Sequence, residues 1–224
     1  MEQKNDKNFD ATRSEVGGER RDLKATYDQI ARGWFEDHRD DSWWKPTLDQ
    51  FASHLQEGGT VLDVGCASGI ASKYLQEKGF QVLGVDLSGE QLKIAKQEVP
   101  GADFKVVDIQ SPNEVKSLPM VQGILAKAVF LHIPKAKVLE VMRKLNERLE
   151  PGGYFSVQVK EKKANGQEEE MVTEHDYGYD YQRFFSYYTL PEVEELFRQC
   201  GLSIVSKEVI TPTKTSWVTV LGKK

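Results

Sequence analysis

Apolar positions along the chain fall into short blocks whose period keeps changing. Leu23, Tyr27, Ile30, Ala31 and Trp34 recur at helical spacing and predict an amphipathic helix over 22–38. A second helix is expected over 45–58, with Pro46 near its start, Leu48, Phe51 and Leu55 along one face, and Gly58 at its end. From residue 60 the character alternates. Strands are expected at 60–64, 81–88, 103–109, 121–131 and 154–159, and helices at 71–79, 89–99 and 135–150. Strand and helix in strict succession predict right-handed crossovers and a parallel sheet covered on both faces. Thr189 with Glu192 three places on marks one more helix start, and Gly201 marks its stop. Two final strands, 202–210 and 215–222, are joined so briefly that they must run antiparallel. The expected fold is one doubly wound α/β domain over 21–224. It has a mostly parallel seven-stranded sheet, an antiparallel C-terminal strand and a helical cap at 21–58.

Two stretches break this rhythm. Residues 1–20 are polar, mixed in charge and poor in apolar side chains, and are expected to form a tail without structure of its own. Residues 161–188 begin charged and then crowd Tyr177, Tyr179, Tyr181, Phe184, Phe185, Tyr187 and Tyr188 into twelve positions around Arg183. Their spacing matches neither strand nor helix throughout.

Composition narrows the function classes. At 224 residues and 39% hydrophobic content the chain can bury a real core. A formal net charge of -5 disfavours a nucleic-acid partner, which would call for a basic face. No apolar run approaches the ~18–20 residues of a membrane span. Cys66 and Cys200 form no CxxC pair and no secretory signal is visible, so a reduced cytoplasmic setting is expected for a monomer or homodimer. His38, His54 and His175 are scattered without metal-ligand spacing, so no metal is expected.

The stretch "VLDVGCASGI", residues 61–70, carries the chemistry. It reads as a strand ending in a glycine-lined turn with a helix behind it, the place where open α/β sheets hold nucleotides. A dinucleotide fingerprint would need glycine at 65, 67 and 70, and only Gly65 complies. No Gly-Lys-Ser/Thr ending marks a P-loop. What remains is an acid followed by small residues at every second place: Asp63, Gly65, Ala67, Gly69. This resembles the first motif of class I S-adenosylmethionine-dependent methyltransferases, (D/E)-x-G-x-G-x-G, with Ala67 the mildest departure. The resemblance continues in "GVDLS", "VVDI", "VQGILAKAVFLHIP" and "LEPGGYFSV", in that order, and "YDQIA" and "RFFSYYTLPEVEELFRQCGLSIV" extend it at either end. Gln122 stands where that family usually has an Asp.

The resemblance implies S-adenosylmethionine as cofactor, with Asp86, 21 positions after Gly65, holding the ribose diol. It implies Asp108 and Ile109 at the adenine, and adds Tyr27, Cys66, Leu87 and Lys127 to the cofactor set. Plainer roles stand beside these. Cys66 suits a small buried filler, Asp86 could cap the helix after it although Ser88 can do that job, Asp108 could cap a local turn, Tyr27 could be a core aromatic, and Trp34 suits packing. His132, after the fourth strand, is the one candidate general base, or else it pins its turn. The insert at 161–188 would cover the substrate. Tyr177, Tyr179, Tyr181, Arg183 and Phe184 would be its walls, and Glu174, Asp176 and Asp180 would favour a small organic acceptor with a positive charge. The expected reaction is in-line methyl transfer to that acceptor. The rivals are a cofactor-binding module or sensor without turnover, a nucleotide-dependent oxidoreductase, and a methyltransferase acting on tRNA or protein.

Overall fold

The computed structural model describes residues 11–224, with side-chain surroundings from residue 23 on. Helices α1 (Ala11–His38) and α2 (Lys45–Ser53) form the cap, so α1 reaches back through the second half of the expected tail. Residues 1–10 lie outside the described residues. The alternating part runs β1 (Thr60–Val64), α3 (Ile70–Glu77), β2 (Gln81–Asp86), α4 (Gly89–Glu98), β3 (Asp103–Val106), α5 (Pro112–Lys116) and β4 (Val121–Lys127). A single 3-10 turn at Phe130–His132 follows, then α6 (Lys135–Asn146) and β5 (Leu149–Lys160). Next come β6 (Glu169–Glu174) and β7 (Tyr181–Ser186), then α7 (Leu190–Gln199), β8 (Ser203–Ile210) and β9 (Trp217–Lys223).

Seven strands form one sheet in the order β3-β2-β1-β4-β5-β9-β8. Parallel pairings link β3, β2, β1, β4 and β5, and β9 lies antiparallel between β5 and β8. The reversal of strand order beside β1 is the switch point where such sheets leave a crevice. Central β1 is apolar on both faces because both are covered: Val61, Leu62 and Val64 have no exposed surface. One core under α6 and α7 joins Ile124, Met142, Phe155 and Phe197, and a second under α2 and α3 joins Phe51, Leu75 and Leu125.

Several boundaries differ from the periodicity. The apolar run at 121–131 holds two elements, because Ala128 turns to φ 56 and ends the strand. The helix expected to 150 stops at Asn146, since Leu149 already pairs with Val121 in the sheet, and a register shift brings Tyr154 opposite Gly123. The aromatic insert is a two-stranded antiparallel hairpin, β6 with β7, outside the main sheet. Its irregular spacing arises because only residues 181–186 are strand, and Tyr177 and Tyr179 lie in the connection before it. The hairpin is tied to the sheet where the Tyr188 N–H donates to the Lys160 carbonyl at 3.0 Å and the Lys162 N–H to the Tyr188 carbonyl at 2.9 Å. Among the described residues no helix is long and apolar enough to cross a membrane.

Candidate active site

A cavity of about 400 Å³ opens over the carboxyl ends of β1, β2, β4 and β5, between the cap and the hairpin. Gly65 begins its floor with φ 67, a left-handed conformation that glycine adopts without strain. A Cβ at that position would lie 2.6 Å from the Val129 side chain, so close approach of the β4 turn also demands glycine. Ala67 takes φ 47 and donates its N–H to Asp86 Oδ2 at 2.9 Å. The other Asp86 oxygen accepts the Ser88 N–H at 2.8 Å. One carboxylate therefore ties the two neighbouring turns together, lines the cavity and keeps acceptor capacity beyond these two bonds. Burial raises its pKa from the usual carboxylate value. The capping job belongs to Ser88, whose Oγ accepts the Gln91 N–H at 3.1 Å and donates to Asp28 of α1 at 2.7 Å.

Asp63, two residues before Gly65, lines the cavity while only 2% exposed, and accepts the Ser72 hydroxyl at 2.6 Å. Burial pushes its pKa up to about 6. Lys127 ends β4 with its ammonium 5.6 Å and 5.9 Å from the ring centres of Trp44 and Trp43. Desolvation lowers its pKa, while Asp63 and Asp41 pull the other way. Cys66 and Leu87 line the cavity too, and burial holds the Cys66 thiol well above its ordinary value, which makes it an inert filler. Asp108 and Ile109 line the far end, where Asp108 Oδ1 also accepts the Gln110 N–H at 2.9 Å. Gly69, by contrast, does not line the cavity: it sits at φ 79 as the N-cap of α3, packed near Ala95 and Val99.

At the opposite end Tyr27 and His132 meet at 2.7 Å. His132 Nδ1 lies 2.8 Å from the Phe184 carbonyl, which can only accept. The ring proton therefore sits on Nδ1, and the bare Nε2 takes the proton of the Tyr27 hydroxyl. Desolvation drops the His132 pKa to about 3, so the ring is neutral. Arg183 donates Nη1–H to the Tyr27 oxygen at 3.0 Å and grips Glu174 with its other nitrogens. Both ring nitrogens of His132 are thus engaged within the protein.

The hairpin enters this end through one face of β7. Arg183 and Phe185 line the cavity, whereas Tyr181, on the same face and 5% exposed, lies outside it where β7 packs against α1. Phe184 points to the other face, and it contributes its carbonyl to His132 rather than its ring to the cavity. Tyr177 and Tyr179 do not line the cavity either. Tyr177 packs onto α1 at Gly33, where a Cβ would lie 2.5 Å from its ring, and it stacks on Tyr181. The expected acids also point elsewhere: Glu174 is paired with Arg183, Asp176 receives the Tyr181 hydroxyl, and Asp180 meets His175. A positively charged acceptor thereby loses its support.

Sequence reasoning missed Trp43, Trp44, Trp217 and Lys160, all on the cavity wall, and the lining role of Trp34. Trp43 and Trp217 stack at 5.3 Å although 174 residues separate them. The Trp43-Trp44 pair in the otherwise polar "HRDDSWWKP" was the one local signal available. Among the described residues no three metal-ligating side chains come together.

The fold recurs in solved structures. An N1-methyltransferase for 1,6-didemethyltoxoflavin from Burkholderia thailandensis, solved with S-adenosylhomocysteine, covers 98% of this chain and 92% of its own at TM-score 0.74 and 21% identity. The [4+2]-cyclase SpnF superposes at TM-score 0.69 with 16% identity, covering 90% of this chain and 94% of its own. By sequence, a trans-aconitate 2-methyltransferase of Azoarcus is 31% identical over 107 residues, 47% of this chain and 40% of that protein. A ubiquinone biosynthesis O-methyltransferase of Nitrosospira multiformis is 29% identical over 139 residues, 57% of this chain and 56% of that protein. The chain spans about half the length of these two relatives. The family model described as "Methyltransferase domain" matches residues 35–207, most of the α/β domain including the hairpin, and the chain belongs to that family.

Proposed function

We propose that this chain transfers a methyl group from S-adenosylmethionine to a small organic acceptor. The observation that carries the reading is the convergence of Gly65, Ala67 and Asp86 on one cavity. A left-handed glycine leaves the floor bare, and a carboxylate already oriented by two backbone N–H groups stands at the end of β2. Those features fit the adenosyl part of that cofactor: Asp86 for the ribose diol, Asp108 and Ile109 for the adenine, Gly65 and Lys127 for the aminoacyl end. When bound, the cofactor supplies a sulfonium methyl group open to attack by an acceptor lone pair.

The chain's own residues then bind, orient and exclude water. Alignment of two bound reactants contributes ~7–11 kcal/mol, so no strong base is required. His132 serves as a positioning residue: it fixes Tyr27, and with it the wall of the acceptor side. The methyltransferase relatives act on small molecules by name, and the acidic net charge suits such an acceptor better than a nucleic acid. We place the protein in the cytoplasm, where two unpaired thiols are at home, as a monomer or homodimer. The cyclase likeness is a reminder that the fold alone does not compel methyl transfer. Parallel calorimetric titration with S-adenosylmethionine, S-adenosylhomocysteine and NAD tests the reading. Micromolar binding of the first two with NAD silent is expected, and absence of binding by both sulfur compounds would overturn it.

A further inference from the structure

We propose that the acceptor half of the cavity is built for a carboxylate, held by the ammonium group of Lys160 beside the ring of Phe185. This rests on the methyl-transfer reading and names its substrate class.

Position comes first. Lys160 ends β5, three strand steps from Asp86 at the end of β2, which is roughly 14 Å at ~4.8 Å per step. It therefore stands well away from the ribose end, on the side where Tyr27, His132 and Arg183 close the cavity. Its ammonium lies 3.8 Å from the Phe185 ring centre.

Charge comes second. The neighbouring cations are answered: Arg183 by Glu174, Lys162 by Glu168, and Lys135 by Glu168 and Glu192. Lys127, in the other lobe, faces Asp63 and Asp41. Among the described residues Lys160 has no ion pair. Burial depresses its pKa to about 8, and Arg183 of β7 adds to the shift against the opposing pull of Glu174 and Glu170 of β6. It remains mostly protonated at pH 7, a cation in a half-buried wall beside the Phe185 ring. His132 and Tyr27, also facing this space, are neutral.

One unanswered positive charge matches one negative charge. A carboxylate supplies that, meeting the ammonium group from the cavity. A phosphate, at about -1.5 to -2, would ask for a second free cation that the site does not offer.

The test uses the full chain saturated with S-adenosylhomocysteine, titrated calorimetrically at pH 7 with hexanoate, benzoate and cinnamate and with their amides. At least one acid should bind tenfold or more tightly than its amide. Lys160→Met should abolish that preference, Lys160→Arg should keep it, and both should bind S-adenosylhomocysteine within twofold of the unaltered chain. Equal binding of acids and amides, binding of none of the acids, a preference that survives Lys160→Met, or tighter binding of phenyl phosphate than of benzoate would each overturn the proposal. Weakened S-adenosylhomocysteine binding in Lys160→Met would overturn it too, by moving Lys160 to the cofactor end. Failure of the unaltered chain to bind S-adenosylhomocysteine would instead sink the parent reading, and this one with it.

Discussion

The hydroxyl of Tyr27 donates its proton to Nε2 of His132 across 2.7 Å, joining the cap helix α1 to the turn after β4. The opposite ring nitrogen is already spent on the Phe184 carbonyl, so the bond fixes both the tautomer and the ring plane. A histidine read from the sequence as a possible base is held as a strut between three elements.

Tyr27→Phe removes that donor and leaves a half-buried Nε2 without its partner. Orphaning such a group costs about 1–3 kcal/mol, and the Arg183 bond to the same oxygen is lost as well. Thermal unfolding should shift down by roughly 2–12 °C for a chain of this size. An unchanged Tm would show that the strut bears nothing.

His132 also sets a pH dependence. Its folded pKa of about 3 lies below the unfolded ~6.5, so the unfolded chain binds the extra proton first. The stability it contributes is complete above pH ~6.5 and is lost as the pH falls toward 3. Asp63 has the opposite sign: its pKa of about 6 lies above the unfolded value, so its contribution is present at low pH and lost as pH rises through 6. Comparing the parent with His132→Asn cancels Asp63, which both proteins carry. The unfolding free-energy advantage of the parent over the variant, read from denaturant titrations, should shrink between pH 7 and pH 4 by an amount on the order of 2–4 kcal/mol. A difference independent of pH would contradict the buried neutral ring.

Asp86→Ala should weaken S-adenosylhomocysteine binding at least tenfold by calorimetry. It also frees the backbone N–H groups of Ala67 and Ser88, so a lower Tm is expected with it. Undiminished affinity at a temperature well below that Tm would remove the ribose assignment.

Gly65 and Ala67 should respond in opposite directions. Gly65→Ala places a methyl group 2.6 Å from Val129 in a left-handed conformation, at a cost of about 2–5 kcal/mol and a loss of cofactor binding. Ala67→Gly relieves a φ of 47 worth ~1–2 kcal/mol, and gives back ~0.5–1 kcal/mol through the looser unfolded chain. Its Tm should stay level or rise by a few degrees. A large fall would mean that the Ala67 methyl group packs in a way its strain conceals.

What the sequence by itself determined is what neighbours along the chain decide. The order of strands and helices, the glycine turn after β1, the Ser88 cap and the spacing of Asp86 all depend on residues within about one crossover of each other. Periodicity, turn conformation and hydrogen bonds at a helix start are local physics, and they left a readable pattern. The tertiary structure alone decided which groups share the acceptor side. His132 is partnered by residues 105 and 52 positions away. Trp43 finds Trp217, and Lys160 finds Phe185 across a hairpin whose strands were hidden by their irregular aromatic spacing. Those meetings follow from packing α1 and the hairpin against the strand ends. Burial there holds His132 neutral and lowers the pKa of Lys160, and burial is a property of the folded surface, with no period along the chain to announce it.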